Sequence, residues 1–195
     1  NKEKLPMKVV EMNQDLITRL RKSTVSKRMK SLEYCKFLVI EEENGEIVGA
    51  SGIGGILNVH SIQLLEKAQG RGLGKTLFEK NIDEARKRGY SFIMVSRDPQ
   101  NMPIVKLHDF FGFKPCFRIH YTHEMTRESL ILVLKNKAKI LKFFLSFFNT
   151  RIGSVILVVF LKMTKSSLFK KLLTYPPEEF PDPDVMYAIK NFEKI

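Results

Sequence analysis

Three glycines at alternate positions, Gly70, Gly72 and Gly74, stand directly before a run of helix-forming residues. Glycine loses more backbone entropy on folding than any other residue, so this spacing needs a reason. Without Cβ atoms the backbone can approach a ligand closely. The first amide groups of a helix also lack partners within the helix, and the helix dipole places partial positive charge there. The stretch therefore predicts a site for an anionic phosphate group.

Two common phosphate-binding patterns do not fit this spacing. A P-loop ends in Gly-Lys-Thr, which Gly74, Lys75 and Thr76 supply, but its first glycine would stand where the chain has Gln69. A Rossmann fingerprint needs Gly-x-Gly-x-x-Gly after the first strand of a βαβ unit. Here Gly-x-Gly-x-Gly follows a predicted antiparallel meander, so both patterns are excluded.

The elements around this stretch follow from turn residues and hydrophobic spacing. Helices are predicted after the capping residue Asn13, at 75–89 and at 101–113; strands are predicted at 7–12, in a hairpin at 37–56 about Asn44-Gly45, and at 59–68, 90–96, 116–121 and 129–135. The predicted order is β-α-β-β-β-α-β-α-β-β, ending near residue 136. It indicates an α/β fold in which helices cover both faces of a mixed central sheet.

Two motifs in this order carry a resemblance to a known family. Residues 69–74 read QGRGLG, which fits (Q/R)xxGxG. Residues 101–113 read NMPIVKLHDFFGF, which fits Nxx(A)xxLYxxxGF through Asn101, Leu107, Gly112 and Phe113. Residues 7–136 thus resemble the GCN5-related N-acetyltransferase (GNAT) family. The resemblance implies an acyl-CoA N-acyltransferase fold and direct transfer of an acetyl group from acetyl-CoA to a primary amine, through a tetrahedral intermediate.

The resemblance also implies where acetyl-CoA, or CoA, would bind as the cofactor. Its pyrophosphate would lie on the main-chain amides of residues 70–75, and its pantetheine arm would run along the strand edge at Leu64. Asn101 would bond the pantetheine or hold a water network, besides capping its own helix. The implied cofactor-binding residues are Leu64, Gln69, Gly70, Arg71, Gly72, Leu73, Gly74, Lys75, Thr76, Asn101 and His108.

Acetyl transfer needs a neutral amine and a proton for the departing thiolate, and a free amine has a pKa of about 10.4. His108 stands where the family often has a tyrosine, so it is the expected catalytic acid, as imidazolium or as a neutral hydrogen-bond donor. His108 also shares a helical stripe with Leu107, so it could equally be a histidine packed in the core. Glu66 is the expected base and His60 a weaker candidate. Alternatively, Glu66 could be a solvated charge at the end of a strand, and His60 a surface histidine or one whose hydrogen bonds are satisfied.

The cysteines and the remaining histidines predict neither a disulfide framework nor a metal site. Cys35 and Cys116 are the two cysteines, without CxxC spacing, and the HYTH run at 120–123 has no third ligand nearby. Residues 1–12 lack the apolar segment of a secretory signal. We therefore expect a cytoplasmic protein with free thiols. Its acceptor would be a small-molecule or peptide amine, which the sequence does not specify further.

The charge of the chain is concentrated near its C-terminus. The net charge is +12, and residues 135–171 contain nine Lys or Arg and no acidic residue, which leaves the rest close to neutral. We therefore expect an acetyl-CoA-binding domain at 1–136 and a basic, apolar extension at 137–195. Nucleic acid is not an expected partner, because the lysines alternate with phenylalanines and no RNA-binding motif appears.

The apolar stretch at 139–162 leaves several structures open. As one helix it has about the length of a bilayer span, although a central arginine makes that unfavourable. Residues 154–160, which read SVILVVF, are rich in β-branched side chains and could instead form a strand. Packing on the domain or a homodimer contact is the favoured role, and a membrane-surface contact is less favoured. A module that holds acyl-CoA without catalysis is the alternative to an enzyme.

Overall fold

The computed structural model describes residues 7–22, 30–168, 171 and 180–195. Residues 1–6, which carry part of the expectation about a secretory signal, lie outside this description. Backbone contacts divide the chain into two compact units. Among the described residues, 7–22 and 30–89 belong to the N-terminal unit, and 90–168, 171 and 180–195 belong to the C-terminal unit.

The described part of the N-terminal unit contains four antiparallel strands, paired in chain order. Its elements are β1 (Lys8–Glu11), α1 (Gln14–Lys22), a 3₁₀ turn (Lys30–Tyr34), β2 (Cys35–Glu43), β3 (Glu46–Gly54), β4 (Val59–Leu64), a second 3₁₀ turn (Glu66–Ala68) and α2 (Leu73–Lys87).

Local chemistry explains how this unit begins. The Asn13 side chain accepts a hydrogen bond of 2.8 Å from the Leu16 amide, which is the predicted helix cap. Leu16 and Leu20 then lie buried in one core cluster with Leu38 of β2. The β2–β3 turn has positive φ at both central residues, 52° at Asn44 and 79° at Gly45. This confirms the hairpin that the Asn-Gly pair predicts.

The described part of the C-terminal unit contains three strands, with β7 paired antiparallel to both β5 and β6. Its described elements are β5 (Phe92–Arg97), α3 (Met102–Phe110), β6 (Lys114–His120), β7 (Thr126–Val133), α4 (Ala138–Ser146), a 3₁₀ turn (Phe147–Asn149), α5 (Arg151–Leu168) and α6 (Val185–Lys190). The order of elements through β7 is the predicted one, and it confirms the α/β class.

The stretch before the glycines differs from its prediction. The strand expected at 59–68 ends at Leu64, and Glu66–Ala68 form a 3₁₀ turn. The Ala68 amide bonds the Leu65 carbonyl at 2.9 Å, so that Ala68 is buried while Glu66 and Lys67 face solvent. This pattern does not alternate as a strand would. The following helix begins at Leu73, two residues earlier than predicted.

The tail is helical, so the strand considered at 154–160 is wrong. It is also not one helix, because the chain breaks at the turn Phe147–Asn149 and Thr150 is extended. In the described ranges no single helix is long and apolar enough to span a membrane. Ala138–Asn149 and Arg151–Ser167 reach that length and composition only as a pair, and a bend of 93° separates them.

The tail helices pack within the C-terminal unit. The ring of Phe148 meets Phe117 of β6 edge to face at 5.7 Å, and Leu157, Val158 and Leu161 of α5 are buried. Whether 137–195 is a separate extension of a domain ending at 136 stays a prediction.

Candidate functional site

The glycine stretch forms an open loop at the start of α2. Gly70 and Gly72 have φ of 71° and 78°, in the left-handed region that favours glycine. Gly72 is also the N-cap residue of α2. Apart from the adjacent residues, no heavy atom lies within 4 Å of the position that a Cβ would take at either glycine. The protein therefore leaves free space beside the backbone at both residues.

The main-chain amides beside this space, in the first turn of α2, are suited to binding an anion. The Thr76 amide bonds the Gly72 carbonyl at 3.3 Å, so the amides before it fall in the first turn, where a helix offers no internal partner. The first turn of α2 contains no acidic residue. Partial positive charge at the N-terminus of a 15-residue helix thus faces no carboxylate of its own first turn.

The base of the loop is packed against the end of β4. A Cβ at Gly74 would meet the Leu64 side chain at 3.4 Å, which is ordinary contact. Leu64 is half-buried and is the last residue of β4, and Leu77 and Phe78 of α2 are fully buried. The apolar face of α2 thereby determines where the open amides lie, with Leu64 beside them.

The charged neighbours of the loop are exposed and mostly paired. Arg71 forms an ion pair of 2.5 Å with Glu43 at the end of β2, and bonding to Glu43 raises the pKa of Arg71. Gln69 and Lys75 are exposed. Glu66, the expected base, is exposed as the first residue of the 3₁₀ turn. Its carboxylate therefore lies on the solvent side of that turn.

His60 lies in a buried polar cluster that sequence reasoning missed. The Ser51 hydroxyl lies 2.7 Å from His60 Nε2, and Asn81 Nδ2 donates to the same hydroxyl at 2.7 Å. All three residues are buried, and the His60 ring lies 4.0 Å from that of Phe78. The cluster connects β3, β4 and α2. A polar Asn81 on the apolar stripe of α2 was the available signal.

The other predicted residues lie on α3, in the C-terminal unit. Asn101 caps α3, with its side chain accepting from the Ile104 amide at 3.4 Å. His108 is 3% exposed near the end of α3, and its ring lies 5.5 Å from that of Phe113. The structure thus groups Leu64 with residues 69–76 in one unit, and Asn101 with His108 in the other.

His108 is neutral at physiological pH. Burial, with a further contribution from the Arg97 charge, lowers the pKa of His108 from 6.5 to about 4, although Asp109 acts in the opposite direction. Burial disfavours the charged form of a histidine. An imidazolium at this position would therefore be rare near pH 7, whereas the neutral ring keeps one N–H donor.

This lowered pKa predicts how stability depends on pH. Between pH 6.5 and 4 the unfolded chain binds a proton that folded His108 does not, so stability falls as pH falls. The loss amounts to at most about 3 kcal/mol. Replacing His108 with Gln should make the free energy of unfolding, measured in urea, depend less on pH over this range. A residual slope should remain, because burial and Arg118 also lower the pKa of His120. An unchanged slope in H108Q would contradict the prediction.

A buried ion network holds α3 in place, and sequence reasoning missed it. Arg97 Nε donates to Glu128 at 2.9 Å, and its Nη1 donates to Asp109 at 3.1 Å and to the Val105 carbonyl at 3.3 Å. Arg118 Nε also donates to Glu128, at 3.2 Å. The network connects β5, β6 and β7 with the helix that carries Asn101 and His108.

The HYTH run packs against α6. His120 Nδ1 lies 3.0 Å from the Thr126 hydroxyl, and the His123 ring lies 4.0 Å from that of Tyr187. Among the described residues, no group of three His, Cys, Asp or Glu side chains could hold a metal ion. Both cysteines are buried, and burial raises the pKa of the Cys116 thiol to about 11.

The fold is that of an α/β protein with an open backbone loop at the N-terminus of a helix. The profile of the Acetyltransferase (GNAT) family matches residues 10–113, more than half of the chain. The chain therefore belongs to the GNAT acetyltransferase family, and the predicted resemblance is confirmed.

Among curated proteins, the chain is similar to the L-methionine sulfoximine/L-methionine sulfone acetyltransferase of Salmonella typhimurium strain LT2. The two are 31% identical over 84 residues, which cover 39% of this chain and 49% of that protein. The chain thus spans about half the length of the curated relatives it matches.

Two solved structures share the fold. Ribosomal-protein-alanine N-acetyltransferase from Brucella melitensis has a TM-score of 0.53 at 17% identity, over 67% of this chain and 100% of that one. A GNAT acetyltransferase from Elizabethkingia anophelis with acetyl-CoA bound has a TM-score of 0.52 at 16% identity, over 68% and 100%. At these identities the likeness concerns the fold, and it confirms the predicted α/β fold with a mixed sheet.

Proposed function

We propose that this protein is an acetyl-CoA-dependent N-acetyltransferase that acts on a primary amine. The observation that carries the proposal is the open backbone at Gly70 and Gly72, directly before the first-turn amides of α2. A diphosphate needs close approach to several N–H donors, and this loop offers them without a side chain in the way. Family membership is consistent with this cofactor.

The residues present fit the cofactor. The amides of 70–75 would bind its pyrophosphate, with Gln69, Arg71 and Lys75 at the exposed rim and the Thr76 hydroxyl as a further donor. That hydroxyl lies 3.4 Å from the Gly72 carbonyl, so it already points back to the loop. Leu64, which contacts the Gly74 position, would flank the pantetheine arm. Asn101 would add a polar contact besides its capping bond.

Bound acetyl-CoA would supply the acetyl thioester, and the chain's own residues would assist the proton transfers. The amine nitrogen bonds the thioester carbon, the carbon–sulfur bond breaks, and the amine loses a proton while the thiolate gains one. We assign the first proton to the exposed carboxylate of Glu66, directly or through water. We assign His108 a hydrogen bond from its neutral N–H to the departing thiolate, which takes its proton from water, since the lowered pKa of His108 disfavours the imidazolium form.

We propose a small amine, such as the amino group of an amino acid, as the acceptor. The relatives' names support this class: one is an L-methionine sulfoximine/L-methionine sulfone acetyltransferase and another an L-amino acid N-acyltransferase. A cytoplasmic location is also proposed, because both cysteines are buried free thiols and a reducing compartment preserves thiols.

The test is amine-dependent release of CoA thiol from acetyl-CoA. L-amino acids, methionine sulfone, polyamines and a short peptide would be supplied in turn, and the acetylated amine would be identified by mass spectrometry. At least one amine should accelerate thiol release well above the rate without amine. Calorimetric binding of acetyl-CoA without release for any amine would instead identify a module that holds the cofactor.

A further inference from the structure

The tail helices expose apolar side chains along one face each. In α4 and the turn after it, the exposed residues stand at i, i+3, i+4 and i+7; they are Ile140, Phe143, Phe144 and Phe147. In α5 they are Ile152, Ile156, Val159, Phe160 and Met163. We call these nine residues the apolar tail face. Exposed apolar side chains at helical spacing form continuous stripes, which point to an interaction surface.

Helix α5 makes this exposure unusual, because its opposite face is apolar too. Leu157, Val158 and Leu161 are buried in the C-terminal unit, and they account for the packing of this helix. A helix that is apolar on all sides is normally buried on all sides. Packing among the described residues therefore leaves the second stripe of α5 uncovered.

The corner between the two helices is tightly built. A Cβ at Gly153 would lie 2.1 Å from the Phe147 carbonyl oxygen, so the start of α5 touches the preceding turn. The Gly153 amide donates to the Thr150 hydroxyl at 3.1 Å, and Asn149 exchanges two hydrogen bonds with the backbone of Ile195. These contacts fix the junction between α4 and α5, and thereby the positions of the two exposed stripes.

Positive charge surrounds the apolar tail face. Residues 135–171 contain nine Lys or Arg and no acidic residue. Lys137, Lys139, Arg151 and Lys162 are exposed, next to or between the apolar positions. Lys165 instead forms an ion pair of 2.9 Å with Asp182 and contributes less. Exposed phenylalanines with flanking cations match a partner that is apolar inside and anionic outside.

We propose that the apolar tail face binds the surface of an anionic lipid bilayer. Aromatic and aliphatic side chains would enter the boundary below the headgroups, while the lysines and Arg151 contact anionic headgroups. A second copy of the chain fits less well. An isologous dimer brings the same patch of both copies together, and two clusters without acidic residues would repel each other. The inference does not depend on the proposed catalytic function.

The experiment is sedimentation of the full chain with vesicles at low salt. Vesicles of phosphatidylcholine with phosphatidylglycerol should bind the chain, and phosphatidylcholine alone should bind it far more weakly. The variant F143S/F144S should lose about tenfold or more in affinity. The matched control is I56S/F110S, which removes two side chains of similar exposure (66% and 64%, against 77% and 64%) away from the tail face. It should bind like the parent.

A second pair of variants tests the charge. K137E/K139E should weaken binding by about fivefold or more for each lysine, whereas K80E/K87E, which makes the same charge change on exposed positions of α2, should have a small effect. Circular dichroism would verify that each variant is folded. Equal binding to neutral vesicles, no binding to anionic ones, or a dimer in light scattering that F143S/F144S abolishes would each overturn the proposal.

Discussion

Replacing Gly72 with leucine is expected to weaken binding of CoA and acetyl-CoA by about a hundredfold or more. Gly72 caps α2 at the point where the first-turn amides begin, and apart from adjacent residues no heavy atom lies within 4 Å of its Cβ position. A leucine side chain would occupy that space and hold a phosphate away from the amides. Losing two or more charge-assisted hydrogen bonds corresponds to about 3 kcal/mol, or about a hundredfold in affinity.

Gly45 provides a closely matched control. Its φ of 79° compares with 78° at Gly72, and no heavy atom lies within 4 Å of its Cβ position either. Leucine at both positions therefore suffers the same left-handed strain, of about 1–2 kcal/mol. Both variants should lose similar stability in urea unfolding, but only G72L should lose the calorimetric heat of CoA binding. Unchanged affinity in G72L would remove the observation that carries the proposed function.

Replacing Glu128 with glutamine should destabilise the protein by about 3–5 kcal/mol, the largest effect on stability that we expect. Glu128 is 4% exposed and accepts hydrogen bonds from Arg97 at 2.9 Å and from Arg118. The neutral amide would leave two neighbouring guanidinium groups, one of them buried, without the carboxylate between them. Arg97 and Arg118 would keep only the exposed carboxylates of Asp109 and Glu193 as partners, and a poorly compensated buried charge is costly because the low-dielectric interior solvates it poorly.

The control for this prediction is Glu193, which bonds Arg118 from the exposed side of the same network. Its side chain is 67% exposed, and exposed ion pairs contribute about 0–1 kcal/mol. E193Q should therefore unfold at nearly the parental urea concentration while E128Q unfolds much earlier. A loss below about 1 kcal/mol in E128Q would mean that the two arginines do not depend on Glu128.

The loss of Glu128 should also affect the proposed cofactor site, because Arg97 connects Glu128 to α3. This arginine holds the Val105 carbonyl and Asp109 of α3, and α3 carries Asn101 and His108. We therefore expect weakened cofactor binding in folded E128Q as well. Sequence reasoning selected Asn101 and His108 from their motif, but it gave no sign that an ion network positions them, because Arg97 and Glu128 are 31 residues apart in the chain.

The parts of the fold that the sequence predicts well are those with local causes. Asn44-Gly45 suits a tight hairpin by its own backbone preferences, and Asn13 and Asn101 cap helices through bonds to amides three residues on. The glycines at 70 and 72 stand in front of a helix, as their spacing predicts, and the structure shows left-handed φ at both. In each case the energy that decides the conformation is contributed within a few residues.

The parts that were missed depend on partners far along the chain. The 3₁₀ turn at Glu66–Ala68 allows Ala68 to enter a cluster with Val39 and Val48. The neutral state of His108 follows from its burial beside Arg97, and no short window of sequence contains either cause. The buried cluster around Ser51 and His60 likewise joins three separate elements.

By itself, then, the sequence determined the order of elements, the open glycine loop and the basic, apolar character of the tail, because each depends on nearby residues or on composition. Only the tertiary structure decided that the tail turns a corner between Phe147 and Thr150, that Glu128 binds two arginines and that His108 is buried. These depend on which distant side chains meet, and their energies come from desolvation and packing, which arise only when the chain is folded.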